Sequence, residues 1–179
     1  MEKKIEIVAY CAEWEDTFLE LKSVLYQQIG DIVSAIEHVG STSVKGLAAK
    51  PILDIDIIIE GYHVFPEAAA RLQELGYFHE GDIGIEKREV FGRRDRFVPW
   101  NKNKRNWMEH HLYVCPKESK ELARHLAFRD YLRKHPGTAD EYAQIKRRLA
   151  KTAASREAYT IGKTAFIEGV LEKVFEDNE

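Results

Sequence analysis

Cysteine is scarce in this chain: Cys11 and Cys115 are the only two, more than a hundred positions apart. Such a pair gives neither a disulfide framework nor a Cys-x-x-Cys metal or redox motif, and a reducing cytoplasm is the expected setting. Long apolar runs are missing too. The longest, around Ile52–Ile59, is too short to span a bilayer. The first sixteen residues reach acidic side chains before any apolar core of signal-peptide length, so neither secretion nor a membrane partner is expected. Charge of one sign is also lacking. The 27 Lys and Arg against 30 Asp and Glu leave −3, which argues against a protein that coats nucleic acid indiscriminately through many phosphate contacts. Repeats and low-complexity tracts are absent.

What is present is enough to build a core: 44% apolar and 11% aromatic residues in 179 positions predict one compact domain over 1–179. Trp14, Phe18, Leu21, Leu25 and Ile29 recur at helical spacing and predict a helix ended by Gly30. A strand follows at 34–39, then the loop GSTSVKGLAAKP, then a second strand, ILDIDIII, opened by Pro51. A helix is predicted at about 66–75, and the segments KREVFG, RFVPW and HHLYVC are candidate strands. The final third reads as three helices, with a break at His135-Pro136-Gly137 and a capping-box pair, Thr138 and Glu141, opening the next helix. The predicted class is therefore α+β, a mixed sheet packed with helices.

The chemistry concentrates between residues 38 and 56. Asp54 and Asp56 are two residues apart on a strand and so share a face, while Leu53, Ile55 and Ile57 take the other. Two carboxylates on one face raise the energy of ionising both, and a hard cation such as Mg²⁺, Lys50 or an arginine would compensate. Upstream, Gly40 lets backbone amides approach an anion, and Ser41, Thr42, Ser43 and Lys45 add donors. This is not a Walker A loop, because Leu47 and Ala48 follow Gly46 where Lys and Ser or Thr are required. Taken singly, Gly-Ser is usually a turn and Asp-x-Asp a structural ion pair; together, after a short spacer, they favour a functional site.

The stretch IEHVGSTSVKGLAAKPILDIDIII resembles the signature of the GrpB family, and the likeness continues through HHLYV, LAFRDYLRKHP, EYAQIKRRLA and YTIGKTAFIEGVL. The resemblance implies a nucleotidyltransferase-like fold, with Ser41 on the terminal phosphates of a nucleoside triphosphate and Asp54 and Asp56 holding Mg²⁺ and helping to activate an attacking hydroxyl. It also implies a third carboxylate on a later strand. On MEHHLYVC, Glu109, His111 and Tyr113 share a face; Glu109 is the candidate, and His111 in its place would depart from the transferase pattern. Arg129, Arg133, Lys146 and Lys163 recur in the family-like segments and are expected on the phosphate side of the cleft. A non-catalytic anion-binding module, or a phosphohydrolase using Asp54, Asp56 and His111, are the rival readings, since fold does not fix function.

Residues 87–105 hold eight Lys or Arg against Glu89 and Asp95, a segment that would attract triphosphate or RNA, with Phe91, Phe97, Trp100 and Trp107 available for stacking on bases. Of the histidines, His38 adjoins the Gly-Ser turn, and His110 and His111 point oppositely, so at most one can face a site. His63, His79, His125 and His135 read as surface or packing residues.

Overall fold

The computed structural model describes residues 4–178. Five strands form one sheet in the order β1-β2-β5-β4-β3: β1 (Ala35–Val39), β2 (Leu53–Ile59), β3 (Tyr77–Gly81), β4 (Glu89–Arg93) and β5 (His110–Pro116). Only β2 and β5 pair in parallel, so the sheet is mixed as the hydrophobic pattern predicts. Helix α1 (Glu13–Ile29) buries the five apolar residues that the helical spacing picks out, and with α2 (Phe65–Glu74) covers the face carrying Leu53, Ile55, Ile57 and Ile59. Leu53, Ile55, Ile57 and Ile59 are fully buried, and this dry layer is the main source of stability, at about 25 cal/mol per Å² of apolar surface removed from water.

The other face receives α3 (Lys120–Lys134), α4 (Pro136–Thr152) and α5 (Arg156–Glu176). Ser119 caps α3 by accepting a hydrogen bond from the Leu122 amide at 3.2 Å. Helix α4 begins two residues before the expected cap: Pro136 occupies its first turn, where a missing amide proton costs nothing, so Thr138 and Glu141 are already inside the helix and form no capping box. Segment RFVPW is likewise not a strand. Pro99 cannot donate to a ladder, and Arg93 ties the segment into a loop by donating to the carbonyls of Val98 and Arg96. Among the described residues no helix is long and apolar enough to cross a membrane, and both cysteines are free.

Candidate functional site

Cross-strand register brings the predicted carboxylates into company that sequence spacing alone did not identify. Asp54 pairs with Val39 on β1 and His111 on β5; Asp56 pairs with Glu37 and Tyr113. His111 Nδ1 donates to Asp54 Oδ1 at 3.0 Å, and this bond outweighs the effect of burial and raises the imidazole above its ordinary pKa. Glu109 stands one alternation earlier on the same face, exposed, immediately before β5, and its carbonyl accepts from the Leu53 amide. The group directly across from Asp54 is thus the histidine rather than a carboxylate.

Asp56 is fully buried and is answered by a residue expected only to pack. His125 Nδ1 donates to Asp56 Oδ2 at 2.7 Å, while its Nε2 lies 3.2 Å from Glu121. Burial alone would depress this imidazole, but the bonds to Asp56 and Glu121 overcome it and raise the pKa to about 9, so it is a cation at neutral pH. The signal was in the sequence: Glu121 and His125 are spaced i, i+4 on one helix face. The partner 69 residues away was not.

The Gly-Ser turn is held from behind. Gly40 has φ +72°, and a Cβ there would collide with the Asp54 carboxylate, so glycine permits both the backbone conformation and the close approach. Thr42 and Ser43 are buried and spend their hydroxyls internally: His38 Nε2 lies 2.9 Å from Thr42 Oγ1, and Ser43 donates to the Gly40 carbonyl at 2.5 Å. His38 itself stacks on Phe18 on the opposite side of the sheet, and burial lowers its pKa to about 4. Arg133 donates twice to the Ser43 carbonyl, and Arg129 donates to Glu37 and to the His38 carbonyl. Both arginines therefore brace the turn, and these donors are directed into protein rather than towards a phosphate.

Ser41 faces the other way, into a hollow of about 190 Å³ that it lines with Lys50, Asp54, His111, Lys146 and Lys163. Lys146 is 2% exposed and donates to Ser41 Oγ at 2.9 Å and to the Ala48 carbonyl at 2.6 Å, with the Tyr142 ring 4.5 Å away. It makes no ion pair within the described residues. Burial first, then the charges of Lys163, Arg147 and Lys50, push its pKa down to about 7. Lys50 and Lys163 flank the Tyr159 ring at 4.6 and 4.9 Å and are lowered by burial as well. Three lysines crowded around one aspartate amount to a site short of negative charge.

The carboxylates can accept a cation only as a pair. Among the described residues no group of three or more His, Cys, Asp or Glu side chains is arranged to hold a metal. Asp56 Oδ1, however, is buried with no hydrogen-bond partner, and Asp54 keeps 30% side-chain exposure beside it on the strand. Two carboxylates, one with an unsatisfied oxygen, fit a Mg²⁺ ion that takes its other ligands from water and phosphate.

The basic segment is dispersed by folding. Lys87 pairs with Glu118, Arg88 lies over the Tyr113 ring, Arg105 pairs with Glu20 and covers Trp107, and Arg93 is tied to its own loop. Phe91 and Trp107, offered above as stacking surfaces, are buried in the core; Trp100 remains 43% exposed.

Comparison with known proteins decides the family. The model of the family described as GrpB protein matches residues 4–173. The chain belongs to the GrpB family. The glutamate-rich protein GrpB of Alkalihalophilus pseudofirmus is 32% identical over 173 residues, which cover 96% of each chain. The UPF0157 protein YqkA of Bacillus subtilis is 35% identical over 93% of this chain, which spans only 46% of that longer relative. The crystal structure of the conserved protein GrpB from Enterococcus faecalis superposes with a TM-score of 0.79 at 30% identity, covering 97% of this chain and 99% of that one. The GLD-2/RNP-8 complex (TM-score 0.57, 15% identity, 87% of this chain and 58% of that one) and Cid1 bound to its short product ApU (0.55, 10%, 80% and 42%) share the architecture. The resemblance to nucleotidyltransferases is therefore one of fold.

Proposed function

We propose that this GrpB-family protein binds a nucleoside triphosphate as its Mg²⁺ complex and transfers the nucleotidyl group to an acceptor hydroxyl. The observation that carries the reading is Lys146, a buried lysine whose bonds among the described residues go to neutral oxygens, and which lines one hollow with Lys50, Lys163 and Ser41. A polyphosphate tail would supply the missing negative charge. Asp54 and Asp56 would hold the cation, which when bound would neutralise charge on the transferred phosphoryl group. Transfer would form a bond from the acceptor oxygen to the α-phosphorus and break the bond to pyrophosphate. His111, held by Asp54, would receive the acceptor's proton.

A second reading has its own support. Asp56 is fully buried against a cationic His125, and a histidine faces Asp54 where a third carboxylate is expected. These features suit a module that binds the nucleotide without turning it over. Thermal melting separates the cases from a third: Mg²⁺ and a nucleoside triphosphate should raise Tm together, and Asp54→Asn should remove the Mg²⁺-dependent part. Pyrophosphate release on adding acceptors marks a transferase, binding without release marks the module, and release of inorganic phosphate marks a hydrolase. Absence of any triphosphate-linked shift would refute nucleotide binding altogether.

A further inference from the structure

Ser41 lines two spaces at once, the lysine hollow of about 190 Å³ and a neighbouring cleft of about 500 Å³. It is half-buried and follows Gly40, whose φ of +72° turns the chain directly after β1. Its hydroxyl has a basic neighbour. Lys146 Nζ lies 2.9 Å from Ser41 Oγ and 2.6 Å from the Ala48 carbonyl, and the Tyr142 side chain hydrogen-bonds Ser41 as well.

These distances suit a lysine that works as a free amine. Lys146 is buried and has no carboxylate partner among the described residues; burial and the charges of Lys163, Arg147 and Lys50 push its pKa down to about 7, so a large fraction is neutral at neutral pH. A neutral Nζ keeps one N–H on the Ala48 carbonyl and turns its lone pair to Ser41, whose hydroxyl then donates. A nucleophile within hydrogen-bond reach of a base, with the base oriented by a third group, is the arrangement that activates serine. Lys50 and Lys163, in the same hollow, would supply positive charge for a developing oxyanion.

We propose that Ser41 and Lys146 form a serine–lysine dyad that hydrolyses carboxylic esters with an apolar acyl group, Ser41 as nucleophile and Lys146 as its general base. The cleft supplies the acyl site: Val39, Phe128, Ile167 and Leu171 line it with Ser41, while its Glu121, Arg124, His125 and Glu168 are engaged in ion pairs. Ser41 Oγ bonds to the ester carbonyl carbon as its proton passes to Lys146 Nζ. Collapse of the tetrahedral intermediate breaks the bond to the leaving alkoxide, which takes that proton. Water then adds to the acyl-serine, giving a proton to Nζ; the Ser41 oxygen leaves with it, and the carboxylic acid is released. No metal takes part, so the inference goes beyond the nucleotide-binding reading and does not need it.

The experiment treats the full chain, in EDTA, with a fluorophosphonate probe, which phosphonylates activated serines with loss of fluoride, and with p-nitrophenyl acetate, propionate and butyrate. Peptide mass mapping should place the phosphonyl group on Ser41, and kcat/KM should rise about two- to fourfold for each added methylene. Ser41→Ala and Lys146→Met should each lower turnover at least about 100-fold, the second because methionine fills the space of the lysine without a basic nitrogen. If either variant fails to fold, the mapped serine on the unmodified chain decides. A label elsewhere, turnover that persists in Ser41→Ala, or turnover that EDTA stops would overturn the dyad. Rates independent of acyl length would overturn the acyl site. None of these results bears on whether Mg²⁺ and a nucleoside triphosphate raise Tm together, so the two readings fail separately.

Discussion

His110 and His111 are consecutive on β5, yet the sheet sends them into opposite worlds. His110 points to the α1–α2 face, is 4% exposed, and lies 2.7 Å from the Tyr77 hydroxyl; burial lowers its pKa to about 4. His111 points to the α3–α5 face, where the Asp54 carboxylate outweighs burial and raises it. One face is dry and keeps its imidazoles neutral. The other gathers Asp54, Asp56, His125 and three lysines, and among the described residues Lys146 has no counter-ion. Charge imbalance of that kind costs stability, so the difference between the faces separates the part of the molecule that stabilises the fold from the part proposed to bind an anion.

The largest effect should come from cutting into the dry face. Ile57→Ala removes a fully buried side chain and should cost about 2–5 kcal/mol in denaturant melts, with triphosphate affinity of the folded fraction retained. Gly40→Ala should cost less in stability, about 1–3 kcal/mol, because of its φ of +72°. It should nevertheless abolish triphosphate binding, since the added methyl displaces Asp54 from the turn. Equal loss of affinity in the two variants would erase the distinction between the faces.

Smaller effects appear in pH profiles. Lys146 has a folded pKa near 7 against an ordinary 10.5, so between these values the unfolded chain carries the extra proton. Stability of the unmodified protein relative to Lys146→Met should therefore rise with pH from about 7 to 10.5, and a flat difference would argue against an unpaired buried lysine. His110 works at the acid end with the same sign. Its folded value near 4 lies below the ordinary 6.5, so the stability it contributes is present above 6.5 and is lost as pH falls through 4. His111 is opposite: its contribution is present below 6.5 and fades as pH rises through its higher folded value. Imidazole titrations by NMR should place His110 below 6.5 and His111 above it.

Much of this was legible from alternation and periodicity. The two-residue spacing put Asp54 and Asp56 on one face because strand side chains must alternate, and the α1 stripe named its five buried residues because helix geometry leaves no other common face. What spacing could not show depended on partners distant in the chain. Arg129 and Arg133 carry the right charge for phosphate, but the nearest acceptors to their positions on α3 are Glu37 and the backbone around the turn. His125 meets Asp56, 69 positions away in the chain, once α3 packs on the face of the sheet that carries it. The exposed fraction of a basic segment was likewise invisible, since Glu20 and Glu118 neutralise parts of it from other elements. Lys146 did carry a local warning: it falls on the same α4 face as Tyr142, and a lysine within an apolar stripe asks for a ligand or a counter-ion.

An anion in the hollow should pair with Lys146, and one measurement addresses this directly: calorimetric titration of inorganic triphosphate at pH 7 in buffers of different ionisation enthalpy. Binding should take up about half a proton per site, because an anion restores the charged form of a lysine with pKa about 7, and Lys146→Met should bind more weakly with no uptake. Triphosphate that binds with the same affinity and no proton uptake in both proteins would contradict it.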